Sequence, residues 1–183
     1  MSMNYEDQLD EGLAVLKDED YDHALDISHK LQKMEPNTSD GYHLEAMVFQ
    51  KLNQWEKSTQ ALDTAVALDK EKSGYYNLRG FAKLQLDDAE SAKKDFEKAI
   101  DLDDSPAAHR NLVLYMIMDD QGNEAIEYLL NRIKENPKDV ENWILMGDLM
   151  QRAGQDAKAQ TYYQQAQKMA PDNEYIRKQL SES

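Results

Sequence analysis

The sequence predicts an all-α fold, an α-solenoid of helix–turn–helix repeats closed by a short C-terminal capping helix. Three observations carry this. Gly12, Ala46, Gly80, Val113 and Gly147 fall 34, 34, 33 and 34 residues apart, each in the same sequence neighbourhood. A period of this length marks a stacked unit that cannot bury its apolar face alone. Gly and Pro are sparse, at 7 and 4 of 183 residues, while strong helix formers abound. No segment alternates β-branched and polar residues as a strand would.

The last repeat states the pattern most clearly. Counted from residue 140, Trp143, Met146, Gly147, Met150, Gly154, Ala159, Tyr163, Ala166 and Pro171 stand at positions 4, 7, 8, 11, 15, 20, 24, 27 and 32. Trp143, Gly147 and Met150 are three or four apart and share one face of a first helix. Gly147 and Ala159 are small where the two helices of a hairpin must approach closely. Tyr163 and Ala166 lie three apart on the second helix, and Pro171 ends it. This pattern resembles the tetratricopeptide repeat, with its aromatic, Leu-Gly pair, Tyr, Ala, Phe and Pro at fixed offsets. The resemblance implies a right-handed superhelix and a role in protein–protein interaction.

Moved back one period at a time, the template finds partners throughout. Repeat one, about residues 5–38, supplies Gly12, Val15, Tyr21, Ala24, Leu31 and Pro36. Repeat two, about 39–72, supplies Tyr42, Ala46, Phe49, Trp55, Leu62 and Ala65. Repeat three, about 73–105, supplies Tyr76, Gly80, Ala92, Phe96 and Ala99. Repeat four, about 106–139, departs most: it keeps Ala125, Leu129 and Pro137 but has Val113 at the small position, Gly122 in the turn and Arg132 in place of Ala. One residue is missing around 105–108, and Leu112 and Met116 are expected to face inward. Repeat five covers about 140–173. The segment 173–181 then reads as a capping helix whose Tyr175, Ile176 and Leu180 lie against the last repeat, a lid that solenoids need. The whole chain, 1–183, is expected to be one repeat domain.

Composition narrows the function. The net charge is 21 − 36 = −15. Such a surface repels phosphate backbones, and no basic cluster offsets it, so nucleic acid is not an expected partner. The acidic excess serves solubility first and a preference for basic partners second. No run of about 18 apolar residues crosses a membrane, and the polar, acidic start of the chain is no signal peptide; a cytoplasmic location is the default. Cysteine is absent, which removes disulfides and thiolate chemistry. His23 and His29 are six apart, too far out of phase for two ligands on one helical face, and His43 and His109 are separate. Acidic runs such as 18–20 and 101–104 sit at turns and helix starts, where carboxylates cap helices. No phosphate loop or nucleophile elbow occurs. The chain is expected to be no enzyme and to hold no metal or cofactor.

The resemblance places function on the concave groove lined by first helices. It implies groove positions that include His43, Met47, Lys51, Asn77, Phe81, Leu84, Arg110, Asn111, Leu114, Ile117, Ile144 and Asp148. Across all five repeats these positions hold five acids (Glu6, Asp10, Asp40, Glu141, Asp148) and four bases (Lys17, Lys51, Arg110, Arg152), a net −1 against −14 elsewhere. An apolar strip rimmed by polar groups marks a protein-binding surface. Phe81, Met47, Leu114 and Ile144 are the expected anchors, with His43, Asn77, Arg110 and Asn111 donating or accepting hydrogen bonds. A carboxylate clamp for acidic chaperone tails, known in part of the family, is not rebuilt here: Leu9 and Leu13 replace its Lys and Asn. The expected function is an adaptor binding an apolar or amphipathic peptide segment. The alternatives are a self-associating scaffold, with a homo-oligomer as partner, and an assembly or regulatory subunit of a larger complex.

Overall fold

A computed structural model describes residues 4–181. Among them are eleven α-helices and no strand: α1 (Tyr5–Lys17), α2 (Tyr21–Met34), α3 (Asp40–Lys51), α4 (Trp55–Leu68), α5 (Ser73–Gln85), α6 (Ala89–Leu102), α7 (Pro106–Met118), α8 (Gly122–Glu135), α9 (Val140–Arg152), α10 (Asp156–Met169) and α11 (Glu174–Ser181). The fold is all-α, as expected. The helices form two compact units whose boundary falls between Tyr115 and Met116, inside the repeat that departs most from the pattern.

The repeat is written in the backbone as well as in the residues. Glu19, Asn53, Asp87, Asp120 and Gly154 have φ of 64°, 55°, 59°, 56° and 69°, and they recur with the same spacings, 34, 34, 33 and 34, as the small residues. Each ends a first helix. The next residue's N–H closes a loop onto a carbonyl five back: Asp20 to Val15 (2.9 Å), Gln54 to Phe49 (2.8 Å), Asp88 to Lys83 (3.0 Å), Gln121 to Met116 (2.7 Å) and Gln155 to Met150 (2.9 Å). This is the Schellman arrangement, which requires a left-handed residue. In the fourth repeat that residue is Asp120, while Gly122 already opens α8.

The missing residue is located too. Loops of four residues, 69–72 and 136–139, precede α5 and α9, whereas only 103–105 precede α7. Pro106 begins α7 at the position where its lost N–H costs nothing, and Ser105 Oγ accepts from the Ala108 N–H at 3.4 Å. Leu112 is buried and Met116 is half-buried.

Only glycine adopts positive φ without a Cβ penalty, so equivalent turns should respond with opposite signs. Glu19→Gly is expected to raise stability by about 0.5–1 kcal/mol. Gly154→Ala is expected to lower it by a similar ~0.5–1 kcal/mol, although a Cβ there would touch nothing within 4 Å. Urea titrations of both variants check the pair; a gain at both positions would refute the conformational explanation.

Hairpins pack by matching volumes. Gly80 lies under Phe96 and Gly147 under Tyr163: an added Cβ would sit 2.7 Å from Phe96 Cε1 and 2.5 Å from Tyr163 Cε1. Where the small residue grows to Ala46, the residue sixteen further on is Leu62, in the same buried cluster. Gly12 instead faces Ile27 and, from α3, Leu44. The third hairpin adds an ionic tie. Asp95 on α6, nearly buried, accepts from Arg79 Nε (2.8 Å) and Nη2 (2.7 Å) and from Lys83 Nζ (2.7 Å), while Arg79 Nη1 reaches Asp63 at 2.9 Å.

Candidate peptide-binding face

In the N-terminal unit, α3 packs beside α1 and α5, and α7 joins α5 where Asn111 Nδ2 donates to Asn77 Oδ1 at 2.9 Å. The repeat length gives each of these first helices one residue at the same phase: Leu13, Met47, Phe81 and Leu114, spaced 34, 34 and 33. Leu13 is 42 % exposed, and the other three are half-buried. Phe81 is braced edge-on by Trp55, with ring centroids 5.8 Å apart, and Met47 rests on the buried cluster of the first two repeats. The flanks of this row are polar, and much of that polarity is spent internally. Gln50 Nε2 donates to the Leu78 carbonyl at 2.8 Å. His43 lies 4.8 Å from the Tyr75 ring, and the Tyr75 hydroxyl bonds Ser39 Oγ at 2.9 Å. Burial, aided by Lys72 and opposed by Asp40, pushes His43 below its usual pKa, so its imidazole is neutral at pH 7.

The remaining expected residues divide. Lys51 and Arg110 are exposed. Leu84 and Ile144 are buried, at 3 % and 8 % exposure, and offer little surface to a ligand. Ile117 is half-buried near the end of α7.

Asp148, in the C-terminal unit, is half-buried and already engaged. Its Oδ1 accepts from the Tyr163 hydroxyl at 2.6 Å and the Tyr175 hydroxyl at 2.7 Å. One carboxylate thus ties α9 to α10 and to the capping helix α11, which also plants Ile176 in the core. Burial first, then the hydrogen bond and charge of Asp148, raise both phenols, Tyr175 to about 12. A phenol raised above its unfolded value of about 10 favours the fold below that pH, and the benefit is lost as pH rises towards the folded value. Ultraviolet titration should therefore find a phenol ionising near 12 that moves towards the ordinary tyrosine range in Asp148→Asn. An unmoved titration would remove Asp148 as the clasp.

One cleft was not anticipated. Tyr42, Glu45, Phe49, Lys57, Gln60, Ala61 and Thr64 line an open hollow of about 380 Å³ between α3 and α4. Its cause is visible one period on: Ala61 stands where the third repeat has Asp95, and Glu45 and Phe49 stand where it has Arg79 and Lys83. Glu45 instead bonds His29 Nε2 (3.2 Å) and Gln32 Nε2 (2.9 Å), and Lys57 lies 5.3 Å over the Phe49 ring. Among the described residues no group of three or more acids or histidines is placed to hold a metal ion, and no helix is long and apolar enough to cross a membrane.

Paired helices joined by identical left-handed turns, with phase-matched small residues, define a helical-hairpin repeat protein. The tetratricopeptide repeat model matches residues 73–106 and 140–173. A TPR repeat-containing protein of Methanocaldococcus jannaschii, MJ1428, is 29 % identical over 112 residues, 61 % of this chain and 19 % of that one, so the chain spans about a fifth of this relative. The crystal structure of TTC0263, a thermophilic TPR protein of Thermus thermophilus, superposes with a TM-score of 0.77 at 18 % identity, covering 98 % of both chains. YrrB, described as a TPR protein with an unusual peptide-binding site, gives 0.63 at 12 % identity over 96 % of this chain and 91 % of its own. Residues 73–106 and 140–173 are thus matched as tetratricopeptide repeats, and the fold is that of TPR proteins.

Proposed function

We propose that the chain is a non-catalytic adaptor whose first-helix face, in the N-terminal unit, binds an apolar or amphipathic segment of another protein. The observation that carries this reading is the row Leu13, Met47, Phe81 and Leu114, one apolar side chain per repeat, partly exposed in a chain of net charge −15. A chain this acidic has ample charge for its surface; apolar groups kept in phase on one face have a use in recognition. The peptide-binding description of YrrB supports the same class of activity at the level of fold. TPR repeats act by holding protein partners.

A photocrosslinking amino acid tests the placement. Installed at position 81, p-benzoylphenylalanine should capture a protein partner as a discrete adduct. Installed at Gln60, in the cleft between α3 and α4, it should not. Capture at Gln60 alone would move the site to the other side of the hairpin.

A further inference from the structure

We infer that the hollow between α3 and α4 is a binding site for a small guanidinium compound, held by the Glu45 carboxylate against the Tyr42 ring. This site is separate from the first-helix face, and neither depends on the other.

The other repeats fill the equivalent space with their own side chains. Ala61 has counterparts at the same phase in Ile27, Asp95, Tyr128 and Tyr162. Ile27 is fully buried, Asp95 binds Arg79 and Lys83, and the Tyr162 ring lies 6.1 Å from Trp143. Ala61 contributes only a methyl group, and about 380 Å³ stays open beside it.

The third repeat shows which chemistry suits the space. There the Arg79 guanidinium lies 5.3 Å from the centroid of the Tyr76 ring, with two of its N–H groups on the Asp95 carboxylate. One period earlier Tyr42 stands for Tyr76, and a carboxylate comes from α3 instead, as Glu45 in place of Arg79. The second repeat thus supplies ring and carboxylate, and residues 39–72 contain no arginine.

Glu45 suits such a ligand. Its side chain is only 17 % exposed, and its two oxygens are bonded to His29 Nε2 at 3.2 Å and Gln32 Nε2 at 2.9 Å. Gln32 is neutral and His29 is a cation only when protonated, so no permanent positive charge pairs with Glu45 among the described residues. Each carboxylate oxygen keeps a further acceptor site. A planar guanidinium reaches both oxygens at once while stacking on a phenol ring; an ammonium is a point charge and does not span them. Phe49 is a second aromatic wall, with Lys57 Nζ 5.3 Å over it. Lys57 and Gln60, the exposed lining residues, are polar, so the hollow has no apolar rim for a protein partner to bury.

Ethylguanidine, ethylurea and butylamine, titrated against the full ¹⁵N-labelled chain by NMR, test the inference. Ethylurea keeps the shape without the charge, and butylamine keeps the charge without the planar fork. Ethylguanidine should move the amide signals of Tyr42, Glu45 and Ala61 together and saturably, and bind about tenfold more tightly than either analogue. Glu45→Gln should remove that preference. Lys57→Met, which keeps the stem and removes a competing cation, should tighten binding about twofold. Ala61→Leu fills the space and should abolish binding with an unchanged urea midpoint; Glu45→Gln, the milder change, carries the test if Ala61→Leu unfolds. Shifts scattered over the acidic surface, equal binding of the three probes, or a preference that survives Glu45→Gln overturns the inference. A protein adduct from p-benzoylphenylalanine at Gln60 would put the guanidinium on a partner's arginine and overturn the assignment to a small molecule.

Discussion

Gly147→Ala is expected to destabilise the C-terminal hairpin by about 2 kcal/mol, against the intrinsic preference of helices for alanine. Propensity alone predicts a gain of about 1 kcal/mol for this substitution in a helix interior. Overpacking typically costs about 1–3 kcal/mol and occasionally more. The site lies at the costly end, because three Tyr163 ring atoms would stand 2.5, 2.7 and 2.9 Å from the new Cβ. The ring cannot swing aside: it is fully buried, and its hydroxyl is held by Asp148. Adding Tyr163→Leu should recover most of the loss, since it reproduces the Ala46–Leu62 pair of the second repeat. The unfolding of a repeat array is not uniform along the chain, so the readout should be local. With Trp55→Phe in the background, Trp143 fluorescence reports on the fifth repeat during urea unfolding. A single substitution that stabilises, or a double one with no recovery, would end the volume-matching account.

Asp95→Ala is the second large effect, with an expected loss of about 2–3 kcal/mol. Removing one partner of a buried ion pair costs about 3–5 kcal/mol, largely because the other charge stays buried and unpaired. Here two cations lose the same carboxylate. Arg79 and Lys83 are 14 % and 18 % exposed at the side chain, and Arg79 keeps Asp63, so some relaxation towards water lowers the figure. The guanidinium records the tie: burial lowers its pKa, and the hydrogen bonds and charges of Asp95 and Asp63 together more than reverse that. Chemical denaturation at low and moderate salt measures the loss. A change below about 0.5 kcal/mol, the size of an ordinary surface substitution, would show that the network adds nothing net.

Much of this architecture is legible in the sequence because repetition amplifies weak signals. A single Gly or Ala at helical spacing says little, whereas small residues recurring at a fixed period identify the close-approach position of each hairpin. The left-handed turn residues were harder to read. Glu19 has no left-handed preference, and its backbone conformation is imposed by the Schellman hydrogen bonds around it. In the fourth repeat the glycine, Gly122, lies in the first turn of α8, and the left-handed position falls on Asp120 two residues earlier.

The first-helix face was legible by phase but not by depth. Phase puts Leu84 and Phe81 on the same helix three apart, yet Leu84 is buried and Phe81 only half so. The difference comes from neighbouring helices, which a periodicity cannot weigh. Asp148 shows the same limit: its spacing matches the apolar row, and its carboxylate is consumed by two tyrosines on later helices. The Asp95 network and the cleft at Ala61 share one sequence signal, a residue that changes from Ala to Asp between adjacent periods, recognisable once repeats two and three are compared position by position.

The binding face is tested most directly by what Phe81→Glu does to a crosslinked or co-purified partner of the full chain. The partner recovered with the unaltered chain should be lost with Phe81→Glu, while far-ultraviolet circular dichroism and the urea midpoint stay close to those of the parent. Undiminished recovery of the same partner by Phe81→Glu would contradict a binding site on this face.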